Sequence, residues 1–242
     1  MQAIIEYFST HGAEYLQMVG EHLGVSALTL VIAAVIAVPL GVLCARSPLI
    51  DRISVGIATV LRIIPSLAIL IFLVPILGTG VLPAVVALCI LAVPPILINT
   101  ALAFSTLPAE VLEAAVGMGM SPARVFFKVK VPLAFPAAFA GIRTAAVEVI
   151  ASATLASYIG AGGLGEIIFT GMGLMRTDLL CIGGASVAIL SLAVGQLLSV
   201  VDRRMRRYER AKHAAACAPV PERPQSQPHR DNVEPIPFGQ HP

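Results

Sequence analysis

Charge is scarce in this sequence: only 12% of its 242 residues are charged, 57% are hydrophobic, and the mean hydropathy is +0.88. A soluble domain usually carries roughly 25% charged residues, so this composition excludes a water-soluble globule and points to a chain whose main solvent is lipid. Tryptophan is absent and aromatic residues make up 5%, which argues against an aromatic-rich nucleic-acid binder. The four cysteines, Cys44, Cys89, Cys181 and Cys217, are scattered and form no CxxC pair, which argues against a clustered metal or redox framework. No HExxH or G-x-S-x-G occurs, and His11, His22, His213, His229 and His241 are all expected outside the membrane spans. Neither a zinc site nor a serine triad is supported, and no catalytic or metal-ligating residue is assigned. A Walker A motif is missing as well, so ATP chemistry is not expected of this polypeptide. The first 23 residues lack Lys and Arg, unlike the positive start of a secretory signal, so the first apolar segment is expected to stay in the mature protein.

What is present is a series of long apolar runs. Gly24 to Ala45 gives 22 residues without charge, about 33 Å of helix against a bilayer core of about 30 Å. Further spans are expected at Leu61 to Gly80, Val81 to Phe104, Ala137 to Ile159 and Leu179 to Val201. The expected fold is therefore all-α, a polytopic membrane protein of about five transmembrane helices. Asp51 to Val60 reads either as an interfacial helix or as the start of a longer, tilted second span.

The basic residues are distributed unevenly. Arg46 and Arg52 follow the first span, Arg124, Lys128 and Lys130 lie between the third and fourth, and a dense group from Arg203 to Lys212 follows the fifth. With Arg223 and Arg230, 13 of the 16 basic residues fall on one side. The positive-inside rule then sets residues 1–23 outside as an extracytoplasmic segment and the C-terminus in the cytoplasm. Residues 24–201 form the transmembrane domain. Residues 202–242 read as a disordered cytoplasmic tail, with seven prolines crowded beyond Ala214. Arg203 to Arg210 reads as the anchor of the last span, with anionic lipid as the alternative.

The connection from Ser105 to Pro136 has structure of its own. Thr106 and Pro108 mark a helix start and Glu110 stands in its first turn, where the helix dipole favours an anion. Val111, Leu112, Ala115 and Met118 recur at helical spacing as one apolar stripe. Gly117 and Gly119 end the pattern, and Ser121-Pro122 reads as the cap and first residue of a second short helix. Such a helix-turn-helix suits a partner protein or the membrane surface.

Its residues favour the partner. Glu113-Ala114-Ala115 is followed after three residues by Gly119, and nine residues later by Val129-Lys130-Val131-Pro132. This resembles the EAA loop of ABC importer permeases, EAA-x3-G-x9-I-x-L-P, with Val at the Ile and Leu positions. The resemblance spans roughly Thr29 to Val201. Leu61-Arg62-Ile63-Ile64-Pro65-Ser66-Leu67, Pro95-Ile96-Leu97-Ile98-Asn99-Thr100, Gly141-Ile142-Arg143-Thr144 and Tyr158 to Gly165 are similar to stretches of permeases for glycine betaine, carnitine, choline and proline betaine. Arg62-Ile63 stands where that family often has Gln-Thr, and Ile98 where it often has Arg. Methionine-type permeases share the Arg-x-Ile-Pro and Gly-Ala-Gly-Gly-Leu-Gly features.

The resemblance implies a type I ABC importer core of the methionine-permease kind in the bacterial inner membrane. It implies that the loop at 105–136 couples to a separate ATPase through Glu113, Ala114, Ala115, Gly119 and Pro132, although Glu113 also suits a purely structural cap. It further implies an external substrate-binding protein that carries most of the specificity, and a second permease subunit, identical or related. ATP belongs to the partner; no cofactor is expected on this chain, and no nucleic acid. The short termini are expected to leave no room for a fused binding domain.

Arg143 and Glu148 fall within a span, where charge is costly and functional by default. Five residues apart, they point about 140° apart and do not pair with each other. Arg143 is expected to snorkel or meet the loop. Glu148 is expected to face the bundle interior, to assist a cationic substrate or to pair with Arg62 or Arg143. Asn99, Thr100, Ser152, Thr154 and Ser157 read as helix-packing hydroxyls and amides, with a place on the translocation path as the alternative. Gly160, Gly162 and Gly165 satisfy G-x-G-x-x-G, but they follow a span rather than a strand, so a nucleotide site is excluded. With Gly163 they are expected to form a flexible, closely packed turn near the outer mouth, a candidate gate.

Overall fold

The computed structural model describes the backbone of residues 2–216 and the side chains of residues 7–204. The chain divides into two units, 1–206 and 207–242. The first unit holds the helical bundle, and the described part of the second is the continuing helix to residue 216.

The elements are α1 (Gln2–Cys44), α2 (Pro48–Ile63), α3 (Ser66–Leu77), α4 (Val81–Ser105), α5 (Ala109–Gly117), α6 (Pro122–Val125), α7 (Val131–Ala156), α8 (Gly165–Gly173) and α9 (Thr177–Ala216). No strand occurs among the described residues. Four helical stretches are long and apolar enough to cross a membrane, and the α2–α3 pair, bent by 94°, brings the number to five if it counts as one broken span.

Helix α4 is the centre of the bundle, in contact with α1, α2, α3 and α7. Lipid supplies no hydrophobic drive to bring helices together, so close packing of small residues must do it. The core of α1, α4 and α7 is accordingly alanine-rich: Ala33, Ala37, Ala92, Ala101 and Ala145 surround Ile96, Leu97 and Val149. Glycine sets the closest approaches. A Cβ on Gly41 would lie 2.6 Å from Thr100 Cβ, and one on Gly141 would lie 2.7 Å from both Asn99 Cβ and Pro95 O. These two contacts fix α1 and α7 against the Pro94–Thr100 segment of α4.

Several boundaries differ from the sequence expectation. Residues 2–23 are helical: α1 is kinked at His11, where the backbone is non-helical, and the helix beyond the kink runs on through residue 23 to Cys44. Tyr7, Tyr15, Met18 and Val19 pack on Leu164, Ile167, Leu179 and Ile182, which gives this half of α1 a packed environment that its polarity concealed. His22 is consequently inside the bundle, only 2% exposed, and not outside the spans. The expected second span breaks at Ile64–Pro65, because Pro65 lacks the N–H that would continue α2. Asp51 to Val60 belongs to α2, a distinct helix at a steep angle to α3.

The loop expected over 105–136 is shorter, and the fourth span starts much earlier than Ala137. Helix α6 runs through a π-turn, Phe126–Lys130, directly into α7, so Pro122–Ile159 forms one helical stretch of 38 residues. In the wide turn Val131 N–H reaches back five residues to Phe126 O, which accommodates Pro132 without a break. Pro132 is therefore part of the first turn of α7. The expected disordered tail is helical from Asp202 to Ala216, and the expectation for 217–242 lies outside the described residues.

Candidate functional site

The motif Glu113-Ala114-Ala115-x3-Gly119 acquires a direct explanation from the end of α5. Met120 N–H donates to Ala115 O at 3.2 Å and Gly119 N–H to Val116 O at 2.9 Å. This paired closure requires a left-handed residue just beyond the helix, and Gly119 supplies it at φ +78°. Glycine thus stands four positions after Ala115 because the helix must stop and turn there. Ala115 is buried, whereas Glu113 and Ala114 are exposed. The apolar stripe expected on α5 is only partly turned inward: Leu112 is half-buried, while Val111, Val116 and Met118 are exposed, Met118 at 75%. Leu112, Val116 and Met120 line a cleft of about 590 Å³ with Arg46, Phe104, Phe126 and Lys130. The Arg46 guanidinium lies 5.5 Å from the centre of the Phe126 ring, a cation–π contact across the mouth of this cleft. Pro132 is on the helical rod beyond the π-turn, so the motif joins α5 to the base of α7.

The intramembrane charges form two separate pairs. Arg62 Nη2 bonds Glu148 Oε1 at 3.1 Å, with the side chains 46% and 30% exposed. Arg143 Nη1 lies 3.7 Å from Asp202 Oδ2 of α9. Arg143 and Glu148 are not partners, in agreement with their helical spacing. Asp202 is a partner that sequence reasoning missed, since an acid directly before Arg203 and Arg204 looks like part of a solvated charge run. It is instead buried, 6% exposed, beside Arg143 of α7.

The glycine-rich turn is closely packed at Gly162, Gly163 and Gly165. A 3₁₀ turn at Ser157–Ile159 follows α7, and Gly160, Gly162 and Gly163 all take positive φ. Ser157 Oγ donates to Gly162 O at 2.6 Å, and Gly163 N–H donates to Glu21 Oε2 at 3.2 Å. His22 Nε2–H donates to Ile150 O at 2.9 Å, which leaves Nδ1 as an acceptor, buried and without a partner. A Cβ on Gly163 would meet that ring at 3.1 Å, and one on Gly165 would collide with Thr154 O and Ser157. Gly80 N–H also donates to Ile159 O at 2.8 Å, which ties the start of α4 to the same turn. Glu21 and His22 were not singled out by the sequence; an acid and a histidine ahead of an apolar run read as solvent-facing.

The polar span residues separate by environment. Thr100 is fully buried against Gly41 and its hydroxyl has no hydrogen-bond partner. Asn99 Nδ2 donates to Pro95 O at 2.8 Å on its own helix. Ser152 is half-buried on α7, one turn beyond Glu148, and Thr154 Oγ1 is buried without a partner. Among the described residues no three His, Cys, Asp or Glu side chains come together in a metal-binding arrangement.

Residues 37–207 match the family of binding-protein-dependent transport system inner membrane components. The chain belongs to this family. It is a permease subunit of an ABC importer. Among similar proteins, the carnitine transport permease protein OpuCB of Listeria monocytogenes is 42% identical over 85% of this chain and 94% of its own length. The choline transport system permease protein OpuBB of Bacillus subtilis is 39% identical over the same shares. The permease also shares its fold with the membrane subunit in an inward-facing structure of the MetNI methionine ABC transporter, at TM-score 0.69 and 24% identity over 79% of this chain and 95% of that one. It is thus a multi-pass inner-membrane protein with a type I importer core, and its family implies an ATPase and a substrate-binding protein as partners.

Proposed function

We propose that this permease forms the translocation path of an importer for quaternary ammonium osmoprotectants, the class that includes glycine betaine, carnitine and choline. The relatives named for carnitine and choline, similar over nearly their whole length, support the substrate class. Helix α5 is the docking element for the ATPase, and the observation that carries this reading is its two-sided construction. Ala115 roots the helix in the bundle, while Glu113, Ala114 and Met118 stand exposed on a turn closed by Gly119.

The mechanism follows from the continuity beyond that turn. When the ATPase pair closes on ATP, α5 is displaced and passes the displacement to the rod Pro122–Ile159. That rod carries Glu148 about two-thirds of the way along it and the glycine turn at its far end. Its tilting opens the path outward, the external binding protein loads substrate, and hydrolysis resets the rod. Two permease subunits are required because an ATPase dimer offers two grooves. The N-terminus is outside and the C-terminus cytoplasmic, as the basic residues demand. ATP is held by the partner, and this chain binds no cofactor.

Reconstitution with the cognate ATPase and binding protein tests the proposal. ATP-dependent uptake of labelled glycine betaine or choline is expected. Uptake of methionine without either would overturn the substrate class. Uptake that needs neither ATP nor a second subunit would overturn the coupling.

A further inference from the structure

The second span is interrupted at a place where lipid cannot surround it. Between α2 and α3 the chain turns by 94° at Ile64 and Pro65, both in extended backbone. Arg62, Ile63, Ile64 and Pro65 are all exposed, Ile63 at 77%. Open backbone of this kind is tolerated at membrane depth only where it is buried in protein or lines water. The ion pair Arg62–Glu148 is beside the break and is itself substantially exposed. Glu148 is eleven residues before Ile159, roughly 16 Å along the rod, inside a helical stretch long and apolar enough to cross a membrane. The exposed break and the exposed ion pair meet at Arg62, and hydrocarbon is a poor cover for either.

We propose that this surface lines the aqueous translocation path and that Arg62 and Glu148 sort substrates by charge. A zwitterion with a quaternary ammonium at one end and a carboxylate at the other can exchange with the pair, its ammonium against Glu148 and its carboxylate against Arg62. A cation without a carboxylate has use only for Glu148, and leaves Arg62 uncompensated. The charge-sorting step rests on the osmoprotectant reading above; the lining of the path does not.

The experiment has two arms on the complete transporter in proteoliposomes. In the first, Ile63→Cys is treated with a membrane-impermeant cationic thiol reagent, and incorporation is compared with the parent chain, which carries the same native cysteines. One additional label per chain is expected. No additional label would overturn the path lining, because the break would then be sealed in lipid or against the second permease. In the second arm, uptake of glycine betaine and choline is measured for Arg62→Gln, Arg62→Lys, Glu148→Gln and the double glutamine variant. Losing a charged hydrogen bond corresponds to about a tenfold effect. Arg62→Gln is expected to lower the betaine-to-choline ratio about tenfold and Arg62→Lys to preserve it, whereas Glu148→Gln lowers both uptakes. Equal losses in Arg62→Gln, or restoration of both uptakes in the double variant, would reduce the pair to a structural contact and overturn the sorting. A parent transporter that moves neither compound sinks the osmoprotectant reading and leaves the labelling result standing.

Discussion

The two ends of the rod Pro122–Ile159 are built on opposite plans. At one end α5 is attached by a single buried face around Ala115, and Glu113, Ala114 and Gly119 of the same motif are exposed. At the other end the turn at Gly160–Gly165 is enclosed by groups from distant parts of the chain: Glu21 and His22 from α1, Ser157 from the preceding turn and Gly80 from the start of α4. Glycine occurs in both, for different reasons. Gly119 has open space where a Cβ would be and is required for its backbone angle alone. Gly163 and Gly165 are required for space, Gly163 for its angle as well. The first plan leaves a surface open, the second encloses a joint, and the same residue type serves each by a different physical property.

Substitutions can separate the two plans. The largest effect is expected from Gly165→Val, which drives a branched side chain into Thr154 O and Ser157. A destabilisation of about 3 kcal/mol is expected, read as a lower thermal midpoint of the purified permease; an unchanged midpoint would show that the turn is loose. Gly163→Val should follow closely, with transport impaired while the protein still inserts, and normal uptake would remove the joint from the mechanism.

Glu113→Arg should behave in the opposite manner. The side chain is exposed, so the permease itself should change by less than about 0.5 kcal/mol, while co-purification with the ATPase falls at least about tenfold. Intact assembly at normal transport would end the docking role of α5. Smaller again is Glu21→Gln, which weakens the acceptor of the Gly163 N–H at a cost of about 1 kcal/mol; slower transport with unchanged ATPase assembly is the expected signature. Gly160→Asn should be the mildest. No atom lies within 4 Å of its would-be Cβ and asparagine tolerates its positive φ, so a midpoint shift beyond the experimental scatter would contradict the packing described here.

Much of this was readable from residue order. The apolar runs at 81–104 and 179–201 fall inside observed helices and the run at 24–45 overruns one by a single residue, because a stretch that must satisfy its backbone in lipid has little choice but helix. The coupling motif was legible because its Gly119 answers to a local angle. The rod Pro122–Ile159 was not, since Pro132 and Pro136 signal a break that the π-turn absorbs. Nor was the packed half of α1, whose Tyr7, Tyr15 and Met18 find partners more than a hundred residues away. The partner of Glu148 was open between Arg62 and Arg143, and the partner of Arg143 was not anticipated at all.

By itself, the sequence determined that the chain lives in a bilayer, which family of helices it builds and where one of them must stop, because each of these depends on composition or on the bonding of near neighbours. Only the tertiary structure decided which charges meet, which glycines are contacts and which are turns, and that the second span is broken in the open. Those are matters of long-range geometry: an ion pair such as Arg62–Glu148 depends on how α2 and α7 cross, and nothing in the order of residues between them specifies a distance of 3.1 Å.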